Sequence, residues 1–385
     1  MVVAMPSRPE PAIRRQLVLM ALVALVLAGA VVGGWFNRNF LYPDPATWQQ
    51  GRLISAAYDP PVDKVGLYMN QGDGQLFAAE AMDPLMRHPE RVGLVPAEQA
   101  YRYQRPLYGW LGWAGSGGRR DDVGLALILI TIAATPLLVV AAGIASVRLG
   151  GSPLWGMVML LAPGVLADLL RCGPEILGTA LLAFGIAAWF GPKRRTWLAV
   201  ALFGIAGLAR ETMLLVPASL LASGWFVARR RGRPAPWALL GAFVPYAVWL
   251  VVLQLRIGSL PKGSVGGRLS VVPFAGLVGA VGQWQAEEWL ALGVIAVLAA
   301  SALARSGSGQ LRVLVAAHVA LAAVLGTPVW VRYLDFGRVL LPLVLASVLA
   351  HAAATPRRVP VGDGVAVAAG ADQIAAPQGA LHPAT

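Results

Sequence analysis

Segment 36–122 concentrates side chains that can do chemistry. Asp73, Gln75, Glu80 and Asp83 fall in GDGQLFAAEAMDP at 72–84, and Tyr101, Tyr103, Gln104 and Arg105 in YRYQRPLY at 101–108. A carboxylate can take a proton from a hydroxyl, and a guanidinium can grip a phosphate through two parallel N–H bonds. Tyrosines and a glutamine can stack on a sugar or hydrogen-bond it. On a helix that starts at Asp73, Glu80 lies seven residues on and only ~20° around, at ~100° per residue, so the two carboxylates share a face. Gly72 and Gly74 allow a tight turn, and Asp73 reads as a helix N-cap. Asp83-Pro84 reads as a second N-cap with proline at the first helical position, ending one helix and starting another. Capping and catalysis are compatible, and the spacing leaves both open. YRYQRPLYGWLGW is likewise read in two ways, as an interfacial anchor ahead of an apolar run or as a ligand site. Trp110 and Trp113 would hold its end at the membrane surface.

Further charges stand beside apolar runs. Arg210-Glu211 separates two of them, Arg171 and Glu175 bracket another break, and Arg332, Asp335 and Arg338 precede the last. A charge at mid-helix in a membrane costs ~2.5–3.5 kcal/mol on insertion scales, so such groups need mutual pairing, water or a ligand. One reading pairs Arg210 with Glu211 and Arg332 with Asp335 as structural ion pairs. The other brings Arg210, Glu211 and Arg338 together with the residues of 36–122 in one polar cavity.

The elements that must position these groups are helices in lipid. Mean hydropathy is +0.65, with 57% hydrophobic and 13% charged residues, the composition of an all-α polytopic membrane protein. Apolar stretches at about 16–35, 123–147, 153–170, 175–191, 196–209, 212–228, 236–255, 288–304, 312–328 and 338–353 predict about ten spans. The chain divides into 1–14, a first span 15–35, a large loop 36–122, a helical membrane region 123–355 and a tail 356–385. With Arg8, Arg14 and Arg15 inside, the basic clusters at Arg148, 193–195, 229–233, Arg305, Arg312 and 357–358 also fall inside. Of 19 acidic residues, all but Glu10, Asp363 and Asp372 fall on the opposite side. Both termini are therefore expected in the cytoplasm and the large loop outside. A cleavable leader would also fit RRQLVLMALVALVLAGA, but the apolar run continues to Trp35, which favours an anchor. The tail, rich in Ala, Gly and Pro, is expected to be disordered. The net charge of +12 reports topology and calls for no nucleic-acid partner. One cysteine and four scattered histidines give neither an intrachain disulfide nor a metal-ligand spacing, and no cofactor is called for.

The arrangement DGQ-x-x-x-x-x-x-x-DP, then YRYQR-x-LY before the second span, then an Arg-Glu pair and a terminal GR-x-LLP, resembles a bacterial multi-spanning family of cell-surface glycopolymer formation. That family is similar in layout to the GT-C glycosyltransferases. The resemblance covers roughly residues 60 to 345. It implies a GT-C-like fold in the bacterial inner membrane and a polyprenyl-phosphate-linked sugar as donor. It also implies a glycan or glycolipid acceptor on the outer face, with an acidic residue of the first external loop as general base. Asp73 matches that position, with Asp83 in reserve. A transporter or flippase of lipid-linked glycans, which should show paired broken helices, and a non-enzymatic component of a surface-polymer machine are the alternatives.

Overall fold

The computed structural model describes residues 11–38, 65, 68–69, 73–92, 95–191, 195–231, 236–261 and 269–355. The expectations for 1–10, for 39–64 of the first loop and for the tail 356–385 lie outside these residues. Among the described residues every regular element is helical, and one isolated antiparallel bridge joins Leu269 to Leu325.

In chain order the α-helices are α1 (Pro11–Arg38), α2 (Gly74–Met82), α3 (Pro96–Tyr103), α4 (Pro106–Ser116), α5 (Arg120–Arg148), α6 (Pro163–Arg171), α7 (Glu175–Trp189) and α8 (Thr196–Ala209). They continue with α9 (Leu215–Arg231), α10 (Val244–Ile257), α11 (Ala275–Ala280), α12 (Ala286–Arg305), α13 (Gly309–Ala323), α14 (Thr327–Trp330), α15 (Tyr333–Val339) and α16 (Leu341–Ala354). Several are apolar all round, the pattern of helices surrounded by protein and lipid. The 29 residues of α5 extend about 43 Å at ~1.5 Å per residue, more than the ~30 Å of a hydrocarbon core.

Among the described residues four helices are long and apolar enough to cross a membrane: Pro11–Gly34, Arg120–Arg148, Trp237–Ile257 and Ala286–Arg305. Six result if two bent pairs each count as one span. The pairs are Pro153–Leu161 with α6, bent by 60°, and α15 with α16, bent by 55°. The described helices are those of a membrane-embedded protein. Each of the ten apolar stretches contains a helix, but α7, α8 and α13 are short apolar helices.

Packing places three features that matter for the site. First, α2 is not a surface helix: Gly74 to Ala81 are all buried, and it lies against α4 and α5. Glycines permit the approach. A Cβ at Gly109 would stand 3.2 Å from the Cβ of Glu80, and one at Gly112 would stand 3.2 Å from that of Ala81. The edge of Phe77 meets Tyr108 at 5.2 Å between ring centroids. Second, α3 ends at Tyr103 and α4 begins at Pro106, because the residue before proline avoids helical geometry and Arg105 lies outside it at φ −117°, ψ 62°. Third, α6 crosses α15 with Gly164 against Gly337, so closely that a Cβ on Gly164 would strike the Gly337 carbonyl. That crossing sets the ends of the two bent pairs side by side.

Of the expected anchor, Trp113 is half exposed, whereas Trp110 turns inward against Trp249 and donates to the Pro84 carbonyl at 3.3 Å.

Candidate functional site

A cavity of about 220 Å³ opens where α2, the α3–α4 junction, the α8–α9 junction, α14 and α15 meet. Asp73, Glu80, Tyr101, Arg102, Arg105, Arg210, Asp335 and Arg338 supply its polar wall. Leu76, Phe77, Pro328, Val329 and Val339 supply the apolar one.

Asp73 stands at the N-cap position of α2, and its backbone carbonyl accepts from Leu76 at 2.9 Å and Phe77 at 3.1 Å. Its carboxylate makes no capping bond. It accepts instead from Arg338 Nη2 at 3.0 Å and faces Arg102 Nη1 at 3.6 Å. The expectation of a side-chain cap is thereby corrected: the main chain starts the helix, and the side chain is free to face cations. Arg338, 5% exposed, also donates from Nη2 to Asp335 at 3.2 Å and from Nε to the Leu334 carbonyl at 2.9 Å. Asp335 in turn accepts from Arg171 at 2.8 Å.

Arg105 grips Glu211 bidentately, Nε and Nη2 each at 2.8 Å from a carboxylate oxygen, and Nη2 also reaches the Tyr101 hydroxyl at 3.3 Å. The Tyr101 ring lies within 5.2 Å of the Arg105 guanidinium and 5.7 Å of that of Arg102, cation–π distances. Arg210 pairs with Glu175.

The proposed structural pairs Arg210–Glu211 and Arg332–Asp335 are therefore not the ones formed. Arg210 is extended at φ −159° while Glu211 opens a helical turn, and neighbours in sequence do not face each other. Asp335 turns instead to Arg171 and Arg338.

Five expected binding residues line the cavity with Asp73: Glu80, Tyr101, Arg105, Arg210 and Arg338. Glu211 stands behind Arg105 as its partner. Gln75 is buried in α2 off the cavity wall. Gln104 accepts from Tyr246 at 3.2 Å, and Tyr103 donates to Asp83 at 3.3 Å while its carbonyl takes the Trp249 indole N–H at 2.7 Å. Both tie the α3–α4 junction to α10.

Asp83 does not start a helix. It ends α2, and its carboxylate oxygens accept the backbone N–H groups of Arg87 at 2.8 Å and His88 at 2.6 Å. It does not line the cavity, and its acceptor capacity is spent on the turn.

Arg102 and Asp168 were the residues that sequence reading passed over. Arg102 has a signal in retrospect, three residues before Arg105 in a helical turn. Asp168 is wholly buried in α6, where Oδ2 accepts the Ile176 N–H at 2.6 Å and Oδ1 has no partner. A lone Asp in PGVLADLLR carries no period that would flag it.

The two carboxyl groups that share a face of α2 are driven apart. Burial alone would raise Asp73, but Arg338, Arg102 and the hydrogen bond from Arg338 hold it well below the usual carboxylate range. Glu80 has no such bond. Burial pushes it well above the ordinary value, only partly opposed by Arg102 and Arg105. The cavity thus favours the ionised form of one acid and the neutral form of the other.

The cavity wall is also under-satisfied. Arg102 Nε, Arg210 Nε, Arg338 Nη1 and Glu80 Oε2 are buried without a hydrogen-bond partner, and leaving such groups unmatched typically costs ~1–3 kcal/mol each. An arrangement of guanidinium N–H groups around an apolar-floored cavity can hold a phosphate, and an adjacent ionised carboxylate can receive a proton. No protein-family model, no curated protein and no solved structure matches the chain.

Proposed function

We propose that the protein is a membrane glycosyltransferase. It moves a sugar from a polyprenyl-phosphate donor to a cell-surface glycan or glycolipid acceptor, at the outer face of the bacterial inner membrane. This reading takes the fold as GT-C-like, the ten apolar stretches as ten crossings, both termini as cytoplasmic and the loop 36–122 as external. The observation that carries it is the Asp73–Arg338 hydrogen bond at 3.0 Å. It joins the acid of the first loop to the start of the last bent pair, inside a cavity that Arg102, Arg105 and Arg210 also line.

In the reaction the acceptor hydroxyl oxygen attacks the anomeric carbon, the bond from that carbon to the phosphate oxygen breaks, and the phosphate leaves with the electron pair. Asp73 takes the hydroxyl proton. Arginines stabilise the charge that grows on the phosphate. A single base with no covalent nucleophile suits direct displacement with inversion. Asp73 is a weak base while Arg338 and Arg102 hold it. A donor phosphate that draws those guanidinium groups to itself releases Asp73 at the moment its basicity is needed.

Purified protein in nanodiscs, supplied with a polyprenyl-phosphate sugar carrying a labelled sugar, should transfer label to an added acceptor. D73N should slow transfer ~10²–10⁴-fold, the usual worth of a positioned base. Full activity in D73N removes Asp73 as base, and absence of transfer by the wild-type protein with every such donor overturns the enzyme reading.

One observation favours a second reading, translocation of a lipid-linked glycan. Two bent helix pairs cross at Gly164 and Gly337, and paired broken helices are what a carrier requires. Movement of a fluorescent polyprenyl-phosphate sugar between the leaflets of proteoliposomes, without transfer, would select it.

A further inference from the structure

Glu80 is an acid of the cavity wall whose chemistry the proposed reaction leaves unused. It is 3% exposed, it lines the cavity, and its Oε2 has no hydrogen-bond partner. Its position is fixed from behind, where Gly109 of α4 abuts its Cβ. Asp73 lies two turns earlier on the same helix, and Arg102 in α3 and Arg105 at the α3–α4 junction line the same cavity. A guanidinium would satisfy Glu80 if the acid were ionised, yet Arg105 bonds Glu211, Arg102 faces Asp73 at 3.6 Å, and Glu80 Oε2 stays unmatched.

We propose that Glu80 is a specificity residue that donates its carboxyl O–H to an anionic phosphodiester bound among Arg102, Arg105, Arg210 and Arg338. The inference rests on the phosphate-binding part of the reading above and extends it. A neutral acid supplies a donor without adding charge. The same group ionised would set a negative charge against the ligand and withdraw the donor at once. The neutral form is the one burial favours, which pushes Glu80 well above the ordinary carboxylate range.

Ligand affinity therefore depends on one proton. The groups facing Glu80 do not titrate in the same direction. Asp73 on α2 is held ionised by Arg338 and Arg102. From α3, burial raises Tyr103, which stays neutral. Tyr101, Asp335 and the four guanidinium groups complete the wall; burial lowers Arg210 to about 9, a step that the wild-type protein and a Glu80 variant share.

The test measures binding of methyl farnesyl phosphate to the full-length protein in detergent by calorimetry, across neutral to alkaline pH. A phosphodiester keeps one charge over that range, so any pH dependence belongs to the protein. Wild-type affinity should fall about tenfold per pH unit above a midpoint that lies above the ordinary carboxylate range. E80Q, which keeps shape and a donor but has no proton to lose, should bind with a profile that is flat until Arg210 titrates at about 9. Dimethyl phosphate is the second arm: the same pH profile with it assigns the recognition to the phosphodiester alone, and a profile seen only with the farnesyl probe assigns it to a lipid-borne one. A flat wild-type profile, or an unchanged slope in E80Q, overturns the inference while the phosphate site stands. Absence of binding by the wild-type protein to both probes overturns the site and the inference together. If E80Q does not fold, the wild-type profile still decides.

Discussion

Asp73 and Asp83 bear the same functional group on either end of α2, and they differ in what already occupies their oxygens. Asp83 is engaged by two backbone N–H groups and Tyr103, so it behaves as part of a turn. D83N should lower stability by ~1–3 kcal/mol, through weakened acceptance of those donors, while transfer per folded molecule stays near wild type. Thermal unfolding beside an activity assay separates the two, and loss of transfer at unchanged stability would return Asp83 to the site. Asp73 is engaged by cations, and its depressed titration has a consequence for folding. A group whose folded value lies below its unfolded one contributes stability above the unfolded value and loses it as pH falls. Wild-type protein should therefore lose melting temperature as pH drops through and below the ordinary carboxylate range, and D73N should lose less. A melting curve that responds to acid identically in both proteins would show that Asp73 gains nothing from its arginines. Sequence reading reached the shared face of Asp73 and Glu80 because a helical period is local. The partner of Asp73 lies 265 residues away, and no pattern along the chain encodes a pairing at that distance.

Elements fix the site through close approach rather than through charge. The apolar stretches were legible because lipid demands long runs of one kind of residue, and the breaks at Pro163 and Pro342 sit where proline can open a new helix. What those breaks accomplish was not legible. They let α6 and α15 meet glycine to glycine, which carries Arg171 and Asp168 toward Asp335 and Arg338. Gly164→Ala should force that crossing apart, because its Cβ would meet backbone and not a flexible side-chain end. Overpacking of this kind costs ~1–3 kcal/mol, and binding of a phosphodiester probe should fall with it. Gly293→Ala on α12 is the matched control, since nothing lies within 4 Å of its Cβ position, and it should hold stability within ~1 kcal/mol. Equal behaviour of the two variants in melting and binding would remove the crossing from the account of the cavity.

At the scale of the molecule, charge and helix direction together sort the two ends of the bundle. α7 runs from Glu175, in the arginine cluster, to Trp189, and α8 returns from Arg195 to Arg210, again in the cluster. α12 starts beside α15, where Glu288 accepts the Tyr333 N–H at 3.3 Å, and runs away to Arg305. Among the described residues Arg195 and Arg305 thus stand at the end remote from the cavity, the distribution that the proposed orientation, with that end in the cytoplasm, requires. If the proposed orientation is right, the two ends differ in access to a reagent that cannot cross a bilayer. The protein provides its own low background, because Cys172 is buried and its sulfur lies 3.1 Å from the Tyr108 hydroxyl. A cysteine replacing His88, which is exposed in the first loop, should react with an impermeant maleimide in spheroplasts. A cysteine replacing Gly307, an open position between α12 and α13, should react only after the membrane is permeabilised. The opposite pattern would invert the topology and place the cavity on the cytoplasmic side, where a donor sugar on the outer leaflet could not reach it.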